Sequence, residues 1–388
     1  MKKLFLLACL SLSSIYAMAE IRMEQDTTSC YYLDEISVIS FYRTDAKVGN
    51  IVCRENLLKF NKGQEPSFIL SDRPSIFAYS DRGNEYGYAY FRMRGMDQTR
   101  VNMTLDGMPL NEGEDMGVYF SNYPDVIASM HSVKVESGAG ISGNGVAGYA
   151  GTIDFESVNL KRDTVSSVYA GYGSFNTFKS SVEYNSGLKG KWAVHFKATQ
   201  QQSDGNREHA YNNSQSAFAK VGYFFNDRHS IDLLTFIGQS RNGQGWIGSS
   251  LEEIMINDRS NGCTEAETDK FMQNINKLQY KGFVSDNVTL TASLYYNQLK
   301  GYYYFDVDNF MHKVIDPTWQ NTGEVDCYNL RHHMIGGNVA AKVYFRNFAL
   351  TVGMNASTFN RRHIGTNNLS TNEIWNNKGY KNDVNLFA

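Results

Sequence analysis

The residues able to do chemistry fall into a few groups. Asn111-Glu112-Gly113-Glu114-Asp115 concentrates carboxylates in one short run, oxygen ligands of the kind a hard cation takes. The run lacks a full ligand loop, and a solvated acidic turn is the simpler reading. Trp246, Tyr302, Tyr303, Tyr304, Phe305, His312 and Trp319 place aromatic rings in polar surroundings. Such rings either stack on a planar ligand or form the girdle of a membrane interface. His332-His333 offers imidazole, an ordinary axial ligand of haem iron, although paired His in a polar segment is commonly just solvated.

Three patterns suggest chemistry that their context does not support. Gly138-Ala139-Gly140-Ile141-Ser142-Gly143 formally reads G-x-G-x-x-G. A dinucleotide site needs a helix next, whereas Asn144 to Gly151 is too glycine-rich for one. Asp306-Val307-Asp308-Asn309 begins like a calcium loop but lacks its Gly and closing Glu. No local motif announces a Ser-His-Asp arrangement, so the sequence makes no case for an enzyme.

The elements that must position these groups follow from composition and alternation. Lys and Arg number 37 against 40 Asp and Glu, a formal charge of −3 that removes the electrostatic case for nucleic acid. Mean hydropathy is −0.42, which excludes a helical membrane protein. A chain with 25 Tyr, 23 Phe and 33 Gly but only 5 Pro suits strands that alternate apolar and polar faces. Trp192, Val194, Phe196 and Ala198 alternate with Ala193, His195, Lys197 and Thr199. The same pattern predicts strands near 165–173, 176–186, 190–202, 215–225, 229–240, 277–284, 287–300, 332–345 and 347–360, with a tenth beginning at Asp383. Tight joins at 186–189, 226–229, 285–287 and 346–347 alternate with joins at 203–214, 241–276, 301–331 and 361–382. Short turns at one rim and long loops at the other is the build of an outer-membrane barrel.

Met1-Lys2-Lys3, the apolar run Leu4 to Leu12 and Ala17-Met18-Ala19 read as an export signal over 1–19. Leu6-Leu7-Ala8-Cys9 competes as a lipoprotein pattern, but its apolar core is short. Of the remaining cysteines, Cys263 and Cys327 fall in long loops at the same rim, where a disulfide between them is a candidate. No spacing among the cysteines fits zinc.

Residues 34–160 differ, with shorter candidate strands at 88–93, 100–105, 132–136 and 152–156 and more glycine. Here the sequence becomes specific. Tyr90-Phe91-Arg92-Met93-Arg94-Gly95-Met96-Asp97 is followed by Leu105-Asp106-Gly107-Met108-Pro109-Leu110-Asn111. Then come Asn122-Tyr123-Pro124-Asp125, Val133-Lys134-Val135-Glu136-Ser137-Gly138 and a glycine-rich run containing Gly143, Gly145, Gly148 and Gly151. In this order the segment resembles the plug domain of TonB-dependent outer-membrane receptors, especially the ferric-citrate-receptor-like branch.

The resemblance implies an α+β plug domain at 41–160 followed by antiparallel transmembrane β-barrel strands over 161–388, in the outer membrane of a Gram-negative bacterium. It implies a periplasmic segment, 20–40, whose Asp34-Glu35-Ile36-Ser37-Val38-Ile39-Ser40 is a TonB box adding a strand to its partner. The implied partners are TonB with its inner-membrane energising complex, outer-membrane lipid and an iron chelate, a siderophore or ferric citrate. Haem, cobalamin or glycan uptake, and a non-transporting adhesive barrel, are the alternatives. Glu112, Glu114, Asp115, Trp246, Tyr302, Tyr303, Tyr304, His332 and His333 become candidate ligand contacts, with no cofactor and no resident metal. Barrel size adds one expectation. Plugged lumens belong to barrels of about 22 strands. Nine to ten strands at about 24 residues each make an incomplete barrel, so the chain reads as an amino-terminal fragment.

Overall fold

The computed structural model describes residues 51–138, 148–346, 348–370 and 372–387. The expected signal, Asp34 to Ser40, Gly143 and Gly145 lie outside the described residues.

The plug is built from short elements around an apolar centre. β1 (Ile51–Cys53) leads into α1 (Arg54–Phe60) and α2 (Pro66–Leu70). β2 (Ile76–Tyr79), β3 (Tyr90–Met93) and β4 (Met96–Asp97) form a three-stranded sheet. β5 (Val101–Leu105), β6 (Met108–Pro109), β7 (Met130–Ser137) and β8 (Gly151–Ser157) join β1 in a five-stranded sheet of order β1-β7-β8-β5-β6. Leu57, Phe91, Met93, Met103, Met108 and Ile153 are wholly buried between these elements.

Two of the most distinctive dipeptides of this segment are turns. Arg94 and Gly95 take φ of 51° and 78°, and Asp106 and Gly107 take 49° and 79°. Each closes a two-residue hairpin, β3 to β4 and β5 to β6. Positive φ at both central positions explains why glycine stands second in each.

Ten long strands follow: β9 (Val165–Gly173), β10 (Thr177–Asn185), β11 (Trp192–Ser203), β12 (Asn212–Asn226), β13 (His229–Gly243), β14 (Thr268–Ser285), β15 (Val288–Asp306), β16 (Val325–Tyr344), β17 (Ala349–Asn367) and β18 (Glu373–Phe387). They form one sheet in sequence order, every neighbouring pair antiparallel, with β9 and β18 outermost.

Their alternation is inside out relative to a soluble protein. On β11, Trp192 and Phe196 are 55% and 42% exposed, while His195 and Lys197 are 0% and 7% exposed. Apolar side chains face outward, and polar ones face the plug. Aromatic pairs mark the outer face at two levels. Trp192 with Tyr223, His229 with Tyr280 and Phe345 with Phe348 lie near the short-turn rim. Tyr296 with His333 lies toward the other end.

Three expectations need correction. The tenth strand starts at Glu373 rather than Asp383, so the expected loop 361–382 shrinks to 368–372. β14, β15 and β16 likewise run further than expected, because the residues added at their ends break the apolar–polar alternation on which the expectation rested. The rim of long connections, 204–211, 244–267 and 307–324, also carries two short ones, at 174–176 and 368–372.

Candidate functional site

Besides the buried Arg82, which donates to Asn242 Oδ1 at 3.1 Å and Ala210 O at 2.6 Å, two sets of plug–wall contacts differ in depth. Deeper in the lumen, Asp125 accepts hydrogen bonds from Lys179 Nζ at 2.6 Å, Thr199 Oγ1 at 2.8 Å and Asn61 Nδ2 at 2.7 Å, with Lys197 Nζ at 3.7 Å. Asp106 takes bonds from the Ser157 amide at 2.8 Å and hydroxyl at 2.5 Å, with Lys220 Nζ at 3.6 Å. Lys277 donates to the Asp106 carbonyl, and Asn338 to that of Gly107 at 3.1 Å. From α1, Arg54 reaches Glu183 at 2.7 Å, which also pairs with Arg162. Burial alone would raise the Asp106 pKa, but Lys220, Lys277 and Lys281 outweigh it and hold the carboxyl well below its usual range.

The second level is the loop after β6, on the side of the long connections. Asn111 fastens its start: its Oδ1 accepts from the Met103 amide at 2.7 Å, and its Nδ2 donates to Val101 O and Met116 O. The tip then touches the wall. Glu114 Oε1 lies 2.7 Å from Arg361 Nη1, and Glu114 Oε2 lies 3.0 Å from His363 Nε2. Asp115 turns back onto Tyr119 Oη at 2.5 Å and the Gly117 amide at 2.8 Å. Glu112 is half-buried, and its pKa is pushed up to about 8 by desolvation and by Asp115 and Glu114. It is therefore mostly protonated at pH 7. Its 3.9 Å approach to His332 Nδ1 is too long for a hydrogen bond.

Aromatic rings cluster on the wall strands and loops at this end. Tyr303 stacks on Tyr328 at 4.9 Å, Tyr328 meets Trp375 at 5.6 Å, and Trp375 lies 6.0 Å from His363. Trp246 stacks on Phe305 at 5.9 Å and touches Phe310 at 5.7 Å. The loops behind them are tied together. α3 (Leu251–Ile256) begins with a capping box on Ser250 and Glu253, and Glu253 pairs with Lys313 at 2.7 Å. Asp308 caps the chain by accepting from Trp319 Nε1 at 2.9 Å and the Gly323 amide at 2.6 Å, so its carboxylate is spent on a turn.

Of the residues singled out from sequence, Glu112, Glu114, Asp115 and His332 gather at the plug tip, Tyr303 joins them through Tyr328 and Trp375, and Trp246 packs in its own loop on Phe305 and Phe310. Tyr302, Tyr304 and His333 join neither group. Successive strand residues point to opposite faces. Leu294 is exposed on one face of β15 and Tyr295 buried on the other, so the even-numbered Tyr302 and Tyr304 face outward. His333 faces outward too, stacked on Tyr296 with its Nδ1 2.7 Å from the phenol oxygen. The His332-His333 pair therefore cannot ligate one iron. Cys263 and Cys327 are free thiols. Cys263 is buried in its loop, with Sγ 3.5 Å from the Ile247 amide, while Cys327 lies opposite Tyr304 on the outer face. Arg92, Arg94, Gly95, Glu136, Gly138, Gly148 and Gly151 belong to the plug's own strands and turns.

Sequence reasoning missed Arg361, His363, Tyr328 and Trp375. Arg361 and His363 share the parity of the buried Phe359, and that extended alternation was the available signal.

Residues 47–152 match the family model described as the TonB-dependent receptor plug domain. The fold is that of a TonB-dependent receptor. Among solved structures, the unliganded ferric citrate transporter FecA superposes with a TM-score of 0.67 at 14% identity, over 86% of this chain and 51% of its own. The copper transporter OprC gives 0.63 at 18% identity, over 86% and 50%. The siderophore receptor PiuA from Acinetobacter baumannii gives 0.63 at 13%, over 86% and 52%. The chain thus spans about half the length of these receptors. No curated protein matches in sequence.

Proposed function

We propose that this protein binds an extracellular iron chelate, a siderophore or ferric citrate, between the plug tip and the aromatic rings of the wall and passes it to the periplasm when TonB rearranges the plug. The observation that carries the reading is the position of Glu114. It ties the plug tip to Arg361 and His363 of the wall, with the Trp375 ring beside them, so a ligand seated there touches both moving and fixed parts. The similarity to ferric citrate and siderophore receptors supports the same reading. On this reading the protein resides in the outer membrane, performs no covalent chemistry, and uses Asp34 to Ser40 as the segment that TonB captures by strand addition.

The test is uptake of radiolabelled ferric citrate by cells expressing the full-length receptor. Uptake is expected in a strain with an energised TonB complex and is lost in one without it. Deleting residues 34–40 is expected to abolish uptake while leaving binding to purified receptor unchanged. Transport that survives the deletion would remove the assigned role of that segment.

A further inference from the structure

We propose that Arg361 and His363 form a binding site for a carboxylate-bearing anionic chelate, and that the plug's own Glu114 holds this site until the chelate displaces it. The inference rests on the receptor reading above and names the chemistry of its ligand.

Geometry makes the two wall residues a carboxylate seat. They are two apart on β17, so both face the lumen. Each takes a different oxygen of the same carboxylate, at 2.7 Å and 3.0 Å. Arg361 has room to take this pose because its cross-strand partner is Gly379, where a Cβ would stand 2.7 Å from Arg361 Nε. Trp375 stands beside His363, adding a ring face to the seat.

The acceptor is suited to leave. The Glu114 side chain is 32% exposed, against 21% for Arg361 and 19% for His363, and an ion pair this solvated is weak. Its neighbours cannot take its place. Asp115 is held by Tyr119 and the Gly117 amide, and Glu112 is turned toward His332, with Oε2 3.9 Å from its Nδ1. A ligand carboxylate that replaces Glu114 leaves both wall donors satisfied, so the exchange strands no charge. Departure of Glu114 removes the charged tie between the loop at 111–117 and the wall, leaving only the packing of Gly113 against Phe359 and the approach of Lys381 to Met116. Binding of an anion is thereby reported to the plug, whereas a neutral ligand leaves the pair closed.

The test uses purified full-length receptor in detergent, with calorimetry for affinity and hydrogen exchange over residues 111–117. The probes are ferric citrate, iron-free citrate and a neutral ferric hydroxamate. Glu114→Gln is expected to speed exchange over 111–117 about five-fold without any ligand and to bind both citrate probes several-fold more tightly. Arg361→Gln is expected to weaken citrate binding at least ten-fold, with Arg361→Lys recovering part of it, and neither change should move hydroxamate affinity. Unchanged exchange in Glu114→Gln overturns the proposal whatever the receptor binds, as does citrate binding that is equal or weaker in that variant. Wild-type receptor that binds hydroxamate but no citrate overturns this inference and leaves the receptor reading standing. Binding of neither ferric probe counts against that reading, and the Glu114 contact is then judged by the exchange result alone.

Discussion

Glu114 at the plug tip and Asp125 deeper in the lumen are both carboxylates reaching cations of the wall, yet their surroundings make them different devices. Asp125 is fully enclosed and engages two lysines, a threonine hydroxyl and Asn61. Removing one partner of such a buried set strands the others and typically costs about 3–5 kcal/mol. Glu114 meets Arg361 and His363 where water reaches all three, and contacts of that kind are worth about 0.2–1 kcal/mol. The deep contacts therefore fix the plug in register with the wall, while the tip can exchange partners without disturbing them. The proposed receptor function would use both properties: a plug that stays put by default and a surface that responds to ligand.

The largest expected effect tests the deep contact. Asp125→Ala should lower the stability of the folded receptor in denaturant titration by about 3–5 kcal/mol, against less than about 1 kcal/mol for Glu114→Ala. Equal losses would erase the distinction between the two levels.

Acidity should separate the levels next, because their carboxyls are shifted in opposite directions. Asp106, depressed by its lysines, contributes stability that is present above the ordinary aspartate pKa of about 3.9 and is lost as pH falls through its lower folded value. Glu112, raised to about 8, behaves in reverse. The folded state holds its proton between about 4.3 and about 8, so its contribution is complete below that window and declines across it as pH rises. The thermal midpoint of Glu112→Gln should therefore fall less between pH 5 and pH 8 than that of wild type. Parallel curves would show that Glu112 ionises normally.

The smallest effect probes the plug by itself. A Cβ at Gly95 would meet nothing within 4 Å, so Gly95→Ala should cost only the positive-φ penalty, roughly 1 kcal/mol in denaturant titration. A much larger loss would mean that this turn, like Asp106-Gly107, is held by contacts beyond its own hairpin.

What could be read from sequence follows from where solvent changes. Strands facing lipid on one side and the plug on the other alternate clearly, as Trp192 and Phe196 do against His195 and Lys197. The pattern fades above the lipid, where β17 and β18 carry polar residues on both faces, and there Arg361, His363 and Trp375 went unread. Rings misled for a related reason. Tyr302, Tyr303 and Tyr304 are chemically identical, so nothing in their types says which of them faces inward, and a shift of one residue reverses the answer. In the plug, the ordered dipeptides located the domain well, but most of their residues serve turns rather than ligand.

The two outer-face aromatic levels also work as a ruler. On β16 the outward residues between His333 and the Phe345 that follows the strand are Ile335, Gly337, Val339, Ala341 and Val343, uninterrupted by charge. At about 3.4 Å per residue and a tilt near 40°, that interval rises about 30 Å, the thickness of a hydrocarbon core. In the proposed outer-membrane setting, residues Val325 to His332 stand clear of the bilayer, and with them the height at which Glu114 meets the wall. A bulky, hydrated solute can arrive at that height from the aqueous side without shedding its water to lipid, and only its onward passage has to be bought by moving the plug.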